Sequence, residues 1–144
     1  MSRPSLSPTL RQRVADTFDH RCAYCHTAQR IIGPLLEIDH IIPQSRGGSS
    51  AEENLTLACP VCNSYKSDSV DAFDPGSGGL SSLFNPRTQV WAEHFAWRDG
   101  GAIVVGLTGC GRATVAALRM NDAEVVAARR LWIAVGWHPP AEDR

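Results

Sequence analysis

The chain has 144 residues, a formal net charge of −1 and 43% hydrophobic residues. This length suits one compact domain, or a core with a small appendage. No apolar run approaches the ~18 residues of a membrane-spanning helix, so we expect no membrane association. The near-neutral charge excludes a global basic field, so any affinity for nucleic acid must come from local patches or a bound metal. Because the N-terminus is polar, we expect no secretory leader and a cytoplasmic location, where thiols stay free or bind metal.

The N-terminal half predicts short alternating elements. Ser7 and Pro8 are typical of an N-cap and a first helical position. Apolar residues at helical spacing then predict a helix over residues 8–19. The elements that follow are a strand over 35–42 ended by Pro43, a Gly-containing loop over 44–50, a helical turn capped by Ser50, an extended segment over 54–57, and a helix that opens at Pro60 and carries Cys62, Asn63 and Lys66.

The C-terminal half begins with a segment over residues 71–85 rich in Gly, Ser and Asp, which predicts a linker or a long loop. Asp99-Gly100-Gly101 is a strong hairpin signal. The predicted order is a helix from Pro86 to about Trp91, two strands over 94–98 and 102–107, a turn over 108–111, and two helices over 112–120 and 122–135.

Four cysteines form two Cys-x-x-Cys pairs, Cys22/Cys25 and Cys59/Cys62, with 33 residues between the pairs. Four thiolates satisfy a tetrahedral zinc ion, and each pair can place two sulfurs on one knuckle. The pattern favours a structural zinc site, although buried free thiols or two disulfides remain alternatives. His26 is a weaker competing ligand. Cys110 has no such partner and is expected to be a turn or core residue.

A second constellation lies between the pairs and just after them. Asp39 and Asn63 offer hard oxygen donors, which suit Mg²⁺ or Mn²⁺ together with phosphate oxygens. His40 follows Asp39 on the predicted strand, and a neutral imidazole can accept a proton from an attacking water. Asn54 is the candidate partner that fixes the ring of His40. Lys66 shares a helical face with Asn63 and could contact a phosphate or orient the loop.

The segment from Cys22 to Asp68 closely resembles the HNH endonucleases of the ββα-metal, or His-Me finger, class. Their pattern appears here as the following motifs: Cys22-Ala23-Tyr24-Cys25, Asp39-His40-Ile41-Ile42-Pro43, Ser45-Arg46-Gly47-Gly48, Asn54-Leu55 and Cys59-Pro60-Val61-Cys62-Asn63-Ser64-Tyr65-Lys66. The later part of the chain looks like an accessory region of stand-alone HNH proteins of bacteria or phages.

The resemblance implies an α+β fold, in which a ββα-metal core stapled by a four-cysteine zinc site precedes a helix, a β-hairpin and C-terminal helices. We expect residues 1–85 to form this core and residues 86–144 to pack on it or complete it. The implied roles are His40 as general base, Asn54 as its support, Asp39 and Asn63 as ligands of a catalytic Mg²⁺ or Mn²⁺, and the four thiols as ligands of a structural zinc.

The implied activity is metal-dependent hydrolysis of DNA phosphodiester bonds, by nicking or by double-strand cleavage. Its partner is expected to be double-stranded DNA, with Arg46, Arg87 and Arg112 as candidate phosphate contacts. One active site cuts one strand, so a homodimer is possible. Two alternatives stay open at this point: a zinc-stabilised nucleic-acid-binding module without catalysis, and an RNA nuclease.

Overall fold

A computed structural model describes residues 6–144 of the chain, which adopt an α+β fold of short helices and two-stranded antiparallel sheets. In chain order the elements are α1 (Pro8–Thr17), α2 (Gln29–Ile32), β1 (Glu37–His40), β2 (Leu55–Ala58), α3 (Pro60–Lys66), β3 (Asp71–Phe73), β4 (Leu80–Ser82), α4 (Trp91–His94), β5 (Phe95–Arg98), β6 (Ile103–Gly106), α5 (Gly109–Ala117) and α6 (Ala123–Ala134). None of the helices in residues 6–144 is long and apolar enough to cross a membrane.

The first helix begins as its sequence predicts. Ser7 is the N-cap, its Oγ accepts a hydrogen bond from the backbone N–H of Leu10 at 3.1 Å, and Pro8 occupies the first turn. The helix buries Val14 against Leu55 and Leu57 of β2, in a small apolar cluster. All four residues of β2 are buried, so this strand is covered on both faces.

The β1–β2–α3 unit contains most of the sequence motif. The two strands pair antiparallel with Asp39 opposite Thr56 and His40 opposite Leu55. A loop with two short 3-10 turns connects the strands. Cys59 follows β2 directly and is the N-cap of α3, because its Sγ accepts a hydrogen bond from Cys62 N at 3.4 Å. The predicted helix after Pro60 is therefore confirmed.

The segment over 71–85 differs from the predicted loop, because it contains the β3–β4 hairpin. Asp74 stabilises its turn, accepting from Gly76 N at 2.8 Å and from Ser77 Oγ at 2.9 Å. The same carboxylate pairs with Arg112 of α5. Gly and Ser residues therefore form a tight, anchored turn here and not a linker.

The predicted helix from Pro86 to Trp91 is also wrong. Residues after Asn85 form a turn, and the helix α4 starts only at Trp91. By contrast, the hairpin around residues 99–101 is confirmed as β5–β6. The predicted turn over residues 108–111 belongs largely to α5, since Thr108 caps that helix by accepting from Gly111 N at 3.0 Å.

The main core contains the four cysteines of the two pairs. They pack in one cluster with Tyr24, Phe84, Phe95, Val104, Leu118 and Met120, which come from both halves of the chain. Specific bonds also join the halves. Trp91 Nε1 donates to Tyr24 O at 2.8 Å, and His26 Nδ1 lies 2.6 Å from Asp143 Oδ2. The first cysteine knuckle is thus held by residues from the later half of the chain.

Candidate metal centre and active site

The four thiols of the two Cys-x-x-Cys pairs meet in the core. The sulfurs of Cys22, Cys25, Cys59 and Cys62 all lie within 4.8 Å of one another, and Cys25 Sγ is 3.7 Å from Cys59 Sγ. A tetrahedral zinc with Zn–S bonds of about 2.3 Å requires sulfurs about 3.8 Å apart. All five cysteines of the chain are free of disulfides. The donor set and its spacing therefore fit a zinc ion.

In each Cys-x-x-Cys pair, a backbone N–H group donates a hydrogen bond to the first sulfur. Cys25 N donates to Cys22 Sγ at 3.5 Å, and Cys62 N donates to Cys59 Sγ at 3.4 Å. Burial raises the pKa of the Cys22 thiol, whereas hydrogen bonds from Cys22, Cys59 and Cys62 lower the pKa of the Cys25 thiol. One thiolate is thus favoured within the cluster even without an ion.

Asp39 lies on β1 and faces α3. Its carboxylate is buried, accepts a hydrogen bond from Tyr24 OH at 3.0 Å, and lies 3.3 Å from Lys66 Nζ. Burial raises the pKa of Asp39, and the opposing effect of the Lys66 charge is smaller. The His40 imidazole also acts to lower this pKa, which brings the acid and the ring into one electrostatic environment.

Lys66 connects the two residues of the Asp-His step. Its side chain is buried, and Nζ donates to the His40 backbone carbonyl at 3.0 Å as well as contacting Asp39. The ammonium therefore bridges α3 and β1. Of the two roles predicted for Lys66, its position favours orientation of the Asp-His step over contact with an external phosphate.

Asn63 lies one helical turn before Lys66 and faces the same strand. Its Nδ2 donates to Glu37 Oε2 at 3.1 Å. Glu37 and Asp39 are two residues apart on β1, so their side chains lie on one face of the strand. The contact with Glu37 fixes the orientation of the Asn63 amide, so that Nδ2 and Oδ1 are not interchangeable.

His40 is half-buried, and its ring meets the loop between the strands. Its Nε2 lies 3.0 Å from Ser50 Oγ, which also accepts a hydrogen bond from Gln44 Nε2 at 3.2 Å. The sequence predicts that Ser50 caps a helical turn, but the nearby 3-10 turn has Ala51 as its N-cap. The hydroxyl of Ser50 instead contacts the imidazole.

The side chain of Asn54 forms hydrogen bonds with the backbone of the same loop. Its Oδ1 accepts from Ile42 N at 2.9 Å, while Nδ2 donates to Ile42 O at 3.0 Å and to Ser49 O at 2.7 Å. These three bonds tie the end of β1 to the residue before Ser50. These bonds support His40 through the loop backbone. The contact of Asn54 with the ring, which the sequence predicts, stays a prediction.

The three candidate phosphate-binding arginines have partners within the protein. Arg46 is exposed and donates from Nε to Asp68 O. Arg87 donates from Nε to Leu55 O at 2.9 Å, and its guanidinium covers the ring of Phe18. Arg112 forms two bonds of 2.8 Å to Asp74. Arg46 lies on the loop that also carries Ser50, and the other two lie outside the β1–β2–α3 unit.

Three residues of this neighbourhood were missed by the reasoning from sequence. Glu37 could have been found, because the alternation of a strand places it on the face of Asp39. Tyr24 lies inside the first cysteine pair, and its contact with Asp39 depends on how the knuckle packs. The sequence predicts a local capping role for Ser50, and only the fold of the loop brings it to His40.

Comparison with known proteins agrees with this geometry. A family model described as HNH endonuclease matches residues 22–69, from the first cysteine knuckle to just beyond α3. A search of the curated proteins finds no match. The matched segment contains the four thiols, the Asp-His step and Asn63, and it supports nuclease activity in general. Residues 22–69, a third of the chain, therefore match the HNH endonuclease family.

Proposed function

We propose that the protein is a metal-dependent endonuclease that hydrolyses DNA phosphodiester bonds. His40 is the general base, Asp39 and Asn63 hold a Mg²⁺ or Mn²⁺ ion, and Lys66 positions the Asp-His step. The observation that supports this proposal most strongly is the contact of one buried ammonium with both Asp39 and the His40 backbone. Such a contact keeps an acid, an imidazole and the helix of Asn63 together in a unit of about 30 residues.

His40 suits the role of base. A neutral imidazole accepts a proton near pH 7, and its efficiency depends on a fixed orientation. Ser50 contacts Nε2, and Asn54 forms hydrogen bonds with Ile42 and Ser49 in the loop that carries Ser50. In this proposal the imidazole of His40 takes the proton of the attacking water.

Asp39 and Asn63 fit a hard divalent cation. A carboxylate and an amide carbonyl are oxygen donors of the kind that Mg²⁺ and Mn²⁺ prefer. Because Asn63 Nδ2 is engaged by Glu37, its Oδ1 is the end left for an ion. The ammonium of Lys66 is paired with Asp39, the carboxylate that would also bind the divalent cation. The metal, when bound, stabilises negative charge on the phosphate and the leaving oxygen.

We further propose that the cysteine cluster binds one structural zinc ion. The four sulfurs hold the start of the motif against its end, and the cluster is part of the main core. Structural zinc contributes directly to the free energy of folding. Cys59→Ser is expected to lose zinc and to unfold or melt at much lower temperature. Elemental analysis and thermal melts of the two proteins test this expectation.

We also propose a partner, a role for the later part of the chain and a location that are consistent with this function. Double-stranded DNA is the proposed partner, with Arg46, Arg87 and Arg112 contributing phosphate contacts and a homodimer as the route to double-strand breaks. Residues 86–144 complete the core of residues 1–85, in line with the bonds from Trp91 and Asp143 to the first knuckle. A cytoplasmic location is proposed because it keeps the thiols reduced.

A plasmid assay tests the nuclease proposal. Supercoiled plasmid is incubated with zinc-loaded protein and Mg²⁺, Mn²⁺ or EDTA, and nicked and linear products are measured. Wild type is expected to cleave with either ion and to stop in EDTA. His40→Ala is expected to lose roughly 10²–10⁴-fold in rate, as removal of a general base does, while keeping its zinc. His20→Ala is the matched control, because His20 is an exposed histidine outside the unit.

Three results distinguish the alternatives. Binding of plasmid without cleavage under all ions would favour the nucleic-acid-binding module. Cleavage of single-stranded RNA in preference to plasmid would favour the RNA nuclease. Full activity of His40→Ala would reject the assigned base.

A further inference from the structure

Arg129 of α6 is a buried cation next to the cysteine cluster. Its side chain is among the largest fully buried ones, with 1% of its surface exposed. Nη1 donates to Ala102 O at 3.0 Å and to Asn121 Oδ1 at 3.2 Å, and Nη2 donates to Met120 O. Its Nε is buried and has no hydrogen-bond partner among residues 6–144.

No carboxylate within the described part of the chain forms an ion pair with Arg129; its hydrogen bonds go to carbonyl oxygens that carry no net charge. A buried guanidinium without a counter-charge is costly to desolvate. The ring of Trp97, whose centroid lies 5.4 Å from the Arg129 Cζ, adds a cation–π attraction but no negative charge. The thiols of Cys22, Cys25, Cys59 and Cys62 lie close enough to act on this guanidinium. Burial lowers the pKa of Arg129, and the four cysteines act in the opposite direction.

Arg129 and three of the four cysteines line one cavity beside the cluster. A space of about 430 Å³ is lined by Cys25, Cys59, Cys62 and Arg129. The carboxylate residue Glu124 and apolar side chains such as Val125 and Trp132 complete its lining, which is largely apolar. An apolar lining keeps the local dielectric low, so a charge across this cavity is screened less than on the surface. A zinc ion bound to four thiolates carries a net charge of −2, and Arg129 supplies positive charge from α6.

We propose that Arg129 is the counter-charge of the four-cysteine zinc site and raises its affinity for zinc. The inference rests on the proposed zinc site and not on the nuclease reaction. It couples the last long helix, far along the chain from the motif, to retention of the metal. Arg129 acts here as a positioning residue of the centre, through charge and not as a ligand.

Two substitutions separate charge from hydrogen bonding. Arg129→Gln removes the charge and keeps a donor, whereas Arg129→Lys keeps the charge and loses the planar fork. Arg130→Gln is the matched control, because Arg130 is the exposed neighbour on the same helix and forms an exposed ion pair with Asp99 at 3.7 Å. Zinc affinity is measured by competition with a chromophoric chelator, and zinc retention is followed as the pH is lowered.

Arg129→Gln is expected to bind zinc about 10- to 100-fold more weakly, the usual effect of removing an outer-shell partner. It should also release zinc at a higher pH, because its thiols bind protons more readily. Arg129→Lys should recover most of the affinity, and Arg130→Gln should match wild type. Equal affinity in wild type and Arg129→Gln, or equal weakening by Gln and Lys, would overturn the inference.

A second pair of variants serves if Arg129→Gln does not fold. Val125 lines the same cavity and lies one helical turn before Arg129. Val125→Glu therefore adds a negative charge beside the thiols that can also pair with Arg129, and Val125→Gln is its neutral counterpart. The Glu variant is expected to bind zinc more weakly than the Gln variant, and equal affinity contradicts the proposal. Wild-type protein that folds without zinc would reject the zinc site itself, a result distinct from all of these.

Discussion

Lys66 Nζ lies 3.3 Å from Asp39 Oδ2, and both side chains are almost completely buried. The pair therefore joins α3 to β1 inside the protein, at the acid proposed to hold the catalytic ion. Tyr24 OH is the other donor to the same carboxylate, at 3.0 Å. Loss of Lys66 would leave Asp39 buried with a single neutral donor.

Lys66→Met is expected to lower the free energy of unfolding by about 3–5 kcal/mol, because it leaves an uncompensated buried charge. Asp39→Asn combined with Lys66→Met should cost less than Lys66→Met alone. Urea denaturation of the zinc-loaded proteins, without added Mg²⁺ or Mn²⁺, measures both. Arg130→Gln is the control, since its ion pair with Asp99 is exposed and worth about 1 kcal/mol or less. A similar small loss for Lys66→Met would argue against a strong buried pair.

Gly48 is required by the close approach of the loop to the end of β1. A Cβ at this position would lie 1.7 Å from Ile42 O and 3.0 Å from Asn54 Nδ2. Gly48→Ala must therefore displace the backbone to which Asn54 is bonded. We expect a loss of about 1–3 kcal/mol in stability and roughly 10²-fold in plasmid nicking, since small displacements of a catalytic group cost that much.

Gly47→Asn provides the matched control for this loop. Gly47 has φ +84°, but a Cβ added to it would have no atom within 4 Å. Asn adopts left-handed backbone conformations more readily than most residues, so this change should cost less than about 1 kcal/mol. Equal effects of the two substitutions on nicking would show that the contact with Ile42 is unimportant.

Arg46 is the arginine on which we expect DNA binding to depend most. Its Nε donates to a backbone carbonyl, and no carboxylate within residues 6–144 forms an ion pair with it, whereas Arg112 is paired with the Asp74 carboxylate. Loss of one phosphate contact lowers the slope of log affinity against log salt concentration by about 1. Arg46→Gln should show this change, and Arg112→Gln a smaller one. An unchanged slope for Arg46→Gln would remove it from the DNA interface.

His138 makes stability depend on pH. Burial lowers the pKa of His138 from 6.5 to about 4, and the charge of Arg129 acts in the same direction. The folded protein therefore binds fewer protons at this residue than the unfolded chain, so stability rises with pH between about 4 and 6.5. As the pH falls through this window, the contribution of neutral His138 is progressively lost.

Denaturant unfolding at several pH values tests this effect. His138→Gln is expected to flatten the pH dependence of stability between about pH 4 and 6.5 relative to wild type, whatever its constant cost. Zinc content is checked at each pH, because protonation of the thiols also destabilises the protein at low pH. Parallel curves for the two proteins would mean that His138 titrates at its ordinary pKa.

Several elements were predicted because their signals are local. Ser7 and Pro8 start α1, Cys59 and Pro60 start α3, and the glycines at 100–101 turn the β5–β6 hairpin. The β3–β4 hairpin was missed because its turn depends on Asp74, whose carboxylate is paired with Arg112, 38 residues later. Gly and Ser content alone does not distinguish such an anchored turn from a linker.

The sequence by itself determined the two cysteine knuckles, the Asp-His strand and the helix of Asn63, since each depends on residues close together in the chain. Only the tertiary structure decided that Tyr24 and Lys66 share Asp39, that Ser50 meets His40, that Glu37 orients Asn63, and that Arg129 lies beside the thiols. These contacts arise where separate elements pack together, and buried polar groups must then find their partners across long sequence separations.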